Sequence, residues 1–213
     1  MIHKFGRLLI TGLLFIAAGC AHQIVVSPSQ GAATSAGAKL PIDIGLYMSD
    51  AFRTYQHSEG KLGDTWNYTN LGQASANQFR YGLEKRFRSV ALLQSKTVNL
   101  ANSALTVIVE PEIASFSFDI PITKFQIYPA TVRYKVSAVG VNGDVLYSNT
   151  VNGVGDTSGS PGFDFSANPA RSATKAVEVG VNAALDDLVN SAAIKKMLQA
   201  PAQTPANPAV KNL

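Results

Sequence analysis

The chain has 213 residues, 46% of them hydrophobic and 15% charged, which is the composition of a globular core and too apolar for a disordered chain. A single cysteine excludes a disulfide scaffold and the cysteine-rich zinc sites. The formal charge is +4, and Lys4 and Arg7 supply two of those units within the first seven residues, so the remainder offers little to nucleic acid.

Lys4 and Arg7 precede an apolar run, Leu8 to Ile16, and the small residues Ala17, Ala18 and Gly19 lead into Cys20. This is the layout of a secretory signal. The run is too short for a transmembrane helix, which needs about 20 apolar residues, and polar sequence resumes at His22. Ala17-Ala18-Gly19-Cys20 resembles the lipobox of bacterial lipoproteins, with Ala where Leu is commonest. The resemblance implies a diacylglyceryl thioether on Cys20, cleavage between Gly19 and Cys20, and acylation of the new amine, so that residues 1–19 form the signal peptide and Cys20 the mature N-terminus. Ala21 in place of Asp implies, by the family's sorting rule, the outer membrane of a Gram-negative cell, with the folded part in the periplasm. One acyl chain holds a protein only marginally, whereas three make the attachment effectively permanent.

After the cysteine, "SPSQGAATSAGAK" has almost nothing to bury, and residues 20–39 are expected to be a flexible linker. Residues 40–198 read as a single domain, and residues 199–213 as a disordered tail of Pro and Ala. "LPIDIGLYM" is a strand, with Ile42, Ile44 and Leu46 alternating against Asp43 and Gly45. A polar and aromatic loop, "AFRTYQHSEGKLGDTWNYTN", follows. Asn70 can cap a helix whose stripe is Ala76, Phe79, Leu83 and Phe87, with Arg80, Lys85 and Arg88 on the other face. "SVALLQS" is a short strand. "ALTVIVEPEIASFSF" is a long one, in which Pro111 should mark an edge or a bulge. "TVRYKVSAV" buries Val132, Tyr134, Val136 and Ala138 and wets the residues between them. Asn142-Gly143 predicts a tight hairpin turn with positive φ before a returning strand over 145–154. Asn168-Pro169 opens a second helix that runs to about Leu198 and buries Ala173, Val177, Gly180, Val181, Ala184 and Leu188.

Two amphipathic helices need one shared surface, and the economical arrangement is an α+β two-layer sandwich, a mostly antiparallel sheet with both helices on one face. That order is similar to several small periplasmic lipoproteins that serve as accessory parts of transport or envelope-assembly machines.

Catalytic residues are scarce. His3 belongs to the signal, His22 to the linker, and His57 is the one histidine near the domain, too close in sequence to Ser58, Glu59 and Asp64 to define a triad. No ligand set for a metal or other cofactor is recognised, and no enzyme activity is expected. Glu110 and Glu112 flank Pro111 as the wet edge of a strand rather than a glycosidase pair. The glycines of "GVGDTSGSPG" lack the Lys-Ser ending of a phosphate loop and read as a flexible loop. Arg80, Lys85, Arg86 and Arg88, near Arg53, form a solvated basic face or a surface for anionic headgroups. Two stretches are candidate contact surfaces. The aromatic loop presents Phe52, Tyr55, Trp66 and Tyr68 among polar residues; the apolar connection "DIPITKFQIYP" presents Ile120, Ile122, Phe125 and Ile127. Each has a competing reading as buried core. The expected function is that of a lipid-anchored binding or scaffold component of an envelope assembly or transport system, whose partners are the membrane and envelope proteins or lipid. The alternatives are a carrier for a lipid or acyl chain and, less favoured, a hydrolase.

Overall fold

The structure is a computed structural model and describes residues 20–27, 37–96, 104–121, 128–140, 142–157 and 167–199. In chain order the strands are β1 (Ala21–Val25), β2 (Leu40–Tyr47), β3 (His57–Lys61), β4 (Asp64–Thr69), β5 (Phe87–Leu93), β6 (Val107–Phe118), β7 (Ala130–Gly140) and β8 (Val145–Gly155). The helices are α1 (Asp50–Arg53), α2 (Leu71–Arg86), α3 (Ala167–Asn190) and α4 (Ala192–Gln199). A five-stranded sheet has the order β5-β2-β6-β7-β8, and a three-stranded sheet the order β1-β4-β3.

The α+β two-layer arrangement is as expected, but the large sheet is mixed rather than mostly antiparallel. β2 pairs in parallel with both β5 and β6, while β6, β7 and β8 form an antiparallel meander. Between β2 and β5 the chain makes α1, the β3–β4 hairpin and α2, and so long an excursion can return a strand parallel to its neighbour. Alternating apolar residues show that a strand has a buried face; they do not show its direction.

Tyr134, on β7, identifies the covered face. Its ring meets Phe79 of α2 edge-on at 5.2 Å, and a Cβ built on Gly180 of α3 would lie 2.9 Å from its Cε2. Both long helices therefore lie on the same side. The small sheet lies there too, because Tyr68 of β4 packs on Phe116 and Phe118 with ring centroids 4.8 and 5.0 Å apart, and Phe116 is the register partner of Val132. On that side Val132, Tyr134, Val136 and Ala138 are buried; on the opposite side Arg133 and Lys135 are exposed. The predicted stripes of both helices are buried as well, including Phe79, Leu83, Val181 and Leu188. Phe87, expected in the helix, is buried as the first residue of β5.

Several local expectations change. Residues 20–39 are not linker throughout: Ile24 of β1 and Val26 just after it are buried while Ala21, Gln23 and Val25 are exposed, a period-two pattern that ends where the small-residue run begins. Asn70 stands at the start of α2 without a capping side-chain bond, at φ +66. Its amide instead donates to the Val26 carbonyl at 2.8 Å, tying the end of β1 to the helix start. At the β7–β8 turn Gly143 has φ +81, its N–H donates to the Gly140 carbonyl, and the Gly140 N–H donates to the Asp144 carbonyl. That is the bonding of a three-residue hairpin loop closed by a left-handed glycine, rather than a two-residue turn. The second helix is interrupted at Ser191, whose Oγ accepts from the Ile194 N–H and so caps α4. Pro111 lies just beyond the last residue of β6 paired with β2, Val109, where among the described residues no strand on that side requires its missing N–H; a register shift follows between Ile113 and Ser115.

Gly153 and Gly155 lie inside β8 rather than in a flexible loop. A Cβ on Gly153 would meet the Ala176 carbonyl at 2.1 Å, and one on Gly155 the Ser172 carbonyl at 2.2 Å. Ser172 Oγ also donates to the Gly155 carbonyl at 2.6 Å. These glycines allow α3 to lie directly on the strand backbone.

Candidate functional site

The small sheet fixes the surroundings of Cys20. β1 runs parallel to β4 with Ala21 opposite Thr65. The Cys20 N–H donates to Asp64 Oδ1 at 3.2 Å, and the Thr65 N–H donates to the Cys20 carbonyl at 3.0 Å. The thiol is free and exposed. Asp64 also holds the next residue, since its Oδ2 lies 3.1 Å from His22 Nε2, and the His22 ring stacks on Trp66 at 4.1 Å and 21°. The backbone on both sides of the Cys20 side chain is thereby fastened to β4.

Next to this point is the tip of the β3–β4 hairpin. Lys61 pairs with Asp64, leaving Leu62 and Gly63 as a two-residue loop with φ +55 and +87. Two successive positive φ values define the type I′ turn, which matches the twist of the flanking strands and favours Asn-Gly. Leu62 is an unusual occupant, and its side chain is 66% exposed. Below the tip, Glu59 accepts from the Phe118 N–H at 3.2 Å and lies 3.3 Å from His57 Nε2 and 3.8 Å from Lys61 Nζ. Trp66 Nε1–H donates to the Lys61 carbonyl at 3.4 Å.

The candidate contact residues fall into two groups. Trp66, Tyr68 and Ile120 are buried, at 3%, 0% and 7% exposure, so the expectation that they form a surface patch is corrected for these three. Trp66 and Tyr68 join the small sheet to the large one through Phe116, Phe118 and Tyr128, and burial raises the Tyr68 phenol pKa well above its ordinary value. Phe52 is buried against Phe79. Alternating aromatics on a strand account for this equally well, and the sequence offered no sign of which strand they would cover. Ile122, Phe125 and Ile127 lie outside the described residues. Their described neighbours Phe118 and Tyr128 both meet the Trp66 ring.

The basic face is dispersed among separate partners. Arg86 is buried and donates to Asp186 Oδ1 from Nε at 3.2 Å and from Nη2 at 2.6 Å, and to the Gly82 carbonyl at 3.1 Å, joining α2 to α3. Arg88 bonds Asp43, Arg53 bonds Asp50, Arg80 lies 3.9 Å from Glu84, and Lys85 sits over the Tyr81 ring. A cleft of about 280 Å³ lies beside the free edge of β6, lined in part by Phe52, Tyr55, Lys96, Glu110 and Glu112. Lys96 Nζ sits 2.5 Å from Glu110 Oε1, and that bond holds the ammonium pKa above its ordinary value. Among the described residues no three His, Cys, Asp or Glu side chains converge as metal ligands, and no helix is long and apolar enough to cross a membrane.

Sequence reasoning singled out Cys20 and missed Asp64, His22 and Leu62 as its neighbours. Lys61-Leu62-Gly63-Asp64 carries a turn signal in its glycine, but the pairing with β1 spans 44 residues and has no local signature.

No protein-family model and no curated protein matches the chain. Among solved structures, it is similar to a Xanthomonas campestris protein of the DUF330 family (12% identity, TM-score 0.43, covering 83% of this chain and 95% of that one). It is also similar to a candidate lipoprotein from Caulobacter crescentus (13%, 0.39, 75% and 93%) and to the lipoprotein GNA1162 from Neisseria meningitidis (10%, 0.35, 71% and 100%). At identities this low and TM-scores below 0.5, these likenesses assign no function.

Proposed function

We propose that this chain is a lipoprotein, attached through lipid on Cys20 to the outer membrane of a Gram-negative cell, and that its domain works in the periplasm as a binding or scaffold component of an envelope assembly or transport system. The observation that carries the anchor is the coincidence of two features. Cys20 stands directly behind the small residues of a signal-like segment, and the fold leaves its thiol exposed at the first residue before β1. A signal cut before Cys20 removes nothing from β1, and acyl chains on the sulfur displace nothing from the core.

For the binding role, the support is the face of the large sheet that no element among the described residues covers. There Arg133, Lys135, Ser115, Ser117, Thr150 and Asn152 extend over three antiparallel strands, with the exposed Glu112 directly across from Lys135. Such a face suits a protein contact better than a hydrocarbon chain. Ile122, Phe125 and Ile127 are proposed as contact residues from the apolar character of their sequence alone. The cleft beside β6 is a less suitable place for an acyl chain, because Lys96, Glu110 and Glu112 line it.

A photo-crosslinking residue in place of Lys135 tests the role in intact cells. The scaffold reading expects a defined crosslinked envelope protein from position 135 and none from Arg80, on the outer face of α2. Lipid retained through native purification, or turnover of simple esters, in place of such a crosslink would favour the carrier or the hydrolase.

A further inference from the structure

We infer that the Leu62 tip of the β3–β4 hairpin is a membrane contact, set into the boundary between headgroups and acyl chains beside the lipid on Cys20, so that the domain stands on the bilayer instead of hanging from a tether. This rests on the lipid-anchor reading above.

Geometry brings the tip to the anchor. Cys20 is fastened to Asp64 and Thr65 by two hydrogen bonds, and Leu62 is two residues from Asp64. With neighbouring strands about 4.8 Å apart and successive Cα atoms about 3.8 Å apart, the two residues lie within about 12 Å of one another. Acyl chains leaving Cys20 for the hydrocarbon therefore carry the tip to the interface. No stretch of free chain separates lipid from fold, because β1 begins at Ala21; the small-residue segment once expected to act as a spacer comes after β1, between it and β2.

The chemistry of the tip fits that placement. Leu62 is 66% exposed and has φ +55, a conformation that favours Gly or Asn and disfavours a branched apolar side chain. Neither burial nor turn geometry accounts for a leucine here; contact with an apolar phase does. Nearby, Lys61 lies beside the Glu59 carboxylate and the His22 ring meets Asp64, so the contact is apolar rather than a basic patch seeking anionic lipid. One leucine adds little to the affinity of an acylated protein. Its effect is to fix orientation.

In the full chain, processed in cells and returned to vesicles of phosphatidylethanolamine and phosphatidylglycerol, the Cys20 sulfur is blocked by its thioether. Leu62→Cys then supplies one labelling thiol, and Val145→Cys, a site of matching exposure (65%) at the far end of β8, supplies the reference. With an environment-sensitive NBD probe, the expected result is a blue-shifted emission from position 62 that is quenched by nitroxide-bearing lipid, and a water-like emission from position 145. Equal, water-like emission from both sites in protein that carries the lipid mass on Cys20 overturns the docked tip and leaves the anchor standing. Absence of that lipid mass overturns both.

Discussion

Ser75 and Tyr134 show how single atoms hold the two layers together. The Ser75 hydroxyl donates to the Leu71 carbonyl at 2.8 Å, so its one proton is used, and Tyr134 must donate to Ser75 Oγ across 2.6 Å. Both side chains have 0% exposure. Tyr134→Phe removes one bond and leaves Ser75 satisfied, a cost of about 1 kcal/mol, whereas Ser75→Ala strands the Tyr134 hydroxyl in the core and should cost about 1 to 3 kcal/mol. Urea unfolding should therefore rank Ser75→Ala below Tyr134→Phe, and the reverse order would mean that the hydroxyl finds another acceptor. A second residue effect depends on pH. The Asn149 amide and the Tyr147 hydroxyl hold the Asp187 carboxyl below its ordinary range, joining α3 to β8. A depressed native pKa stabilises the fold above the unfolded value of about 3.9, and that contribution is lost as pH falls through the lower native value. Wild type should accordingly lose more of its urea midpoint between pH 6 and pH 3 than Asp187→Asn does. Equal losses would show that the carboxylate is not engaged.

At the scale of elements, the contact of α3 with β8 and the β3–β4 turn make opposite demands on side chains. A Cβ at Gly180 already lies 2.9 Å from Tyr134 and 3.0 Å from Gly153 Cα, so Gly180→Leu overpacks the layer and should cost on the order of 1 to 3 kcal/mol. Gly37→Leu, where nothing lies within 4 Å, should leave the melting temperature unchanged, and equal melting temperatures for the two variants would contradict the helix face. Leu62→Asn should act the other way. A left-handed residue costs an ordinary side chain about 1 to 2 kcal/mol, and Asn tolerates that conformation, so the variant should melt higher than wild type. If the tip meets lipid, the more stable variant also loses membrane contact, separating the needs of the fold from those of the surface. The helices were legible in the sequence because Ala76, Phe79 and Leu83, or Val177, Val181 and Ala184, repeat over several turns. β1 was not, since five residues carry too short a period and its partner β4 lies some 40 residues away. Gly153 and Gly155 read as loop because close packing of a helix on a strand leaves only an absence of side chains to see.

For the whole molecule, the sequence indicates a single core and a two-layer α+β arrangement, because two apolar helix stripes and alternating strands have few ways to cover one another. Parallel pairing at β2 and the separate small sheet depend on contacts between distant segments, and no local pattern records them. The site divides in the same way. Cys20 is singled out in the sequence because the proposed lipid attachment depends on a few adjacent residues, whereas Trp66 and Tyr68 could be assigned to core or surface only once β4 was seen to cover Phe116 and Phe118. In the folded chain, the proposed anchor and the exposed leucine both border β4 of the small sheet, which packs through Tyr68 on Phe116 and Phe118 of β6. The proposed role requires that Cys20 be attached to lipid. Metabolic labelling with a radioactive fatty acid tests that requirement most directly. Wild type should carry the label and Cys20→Ser should lose it while retaining the uncut leader; label persisting in Cys20→Ser, or absent from wild type, would contradict the account.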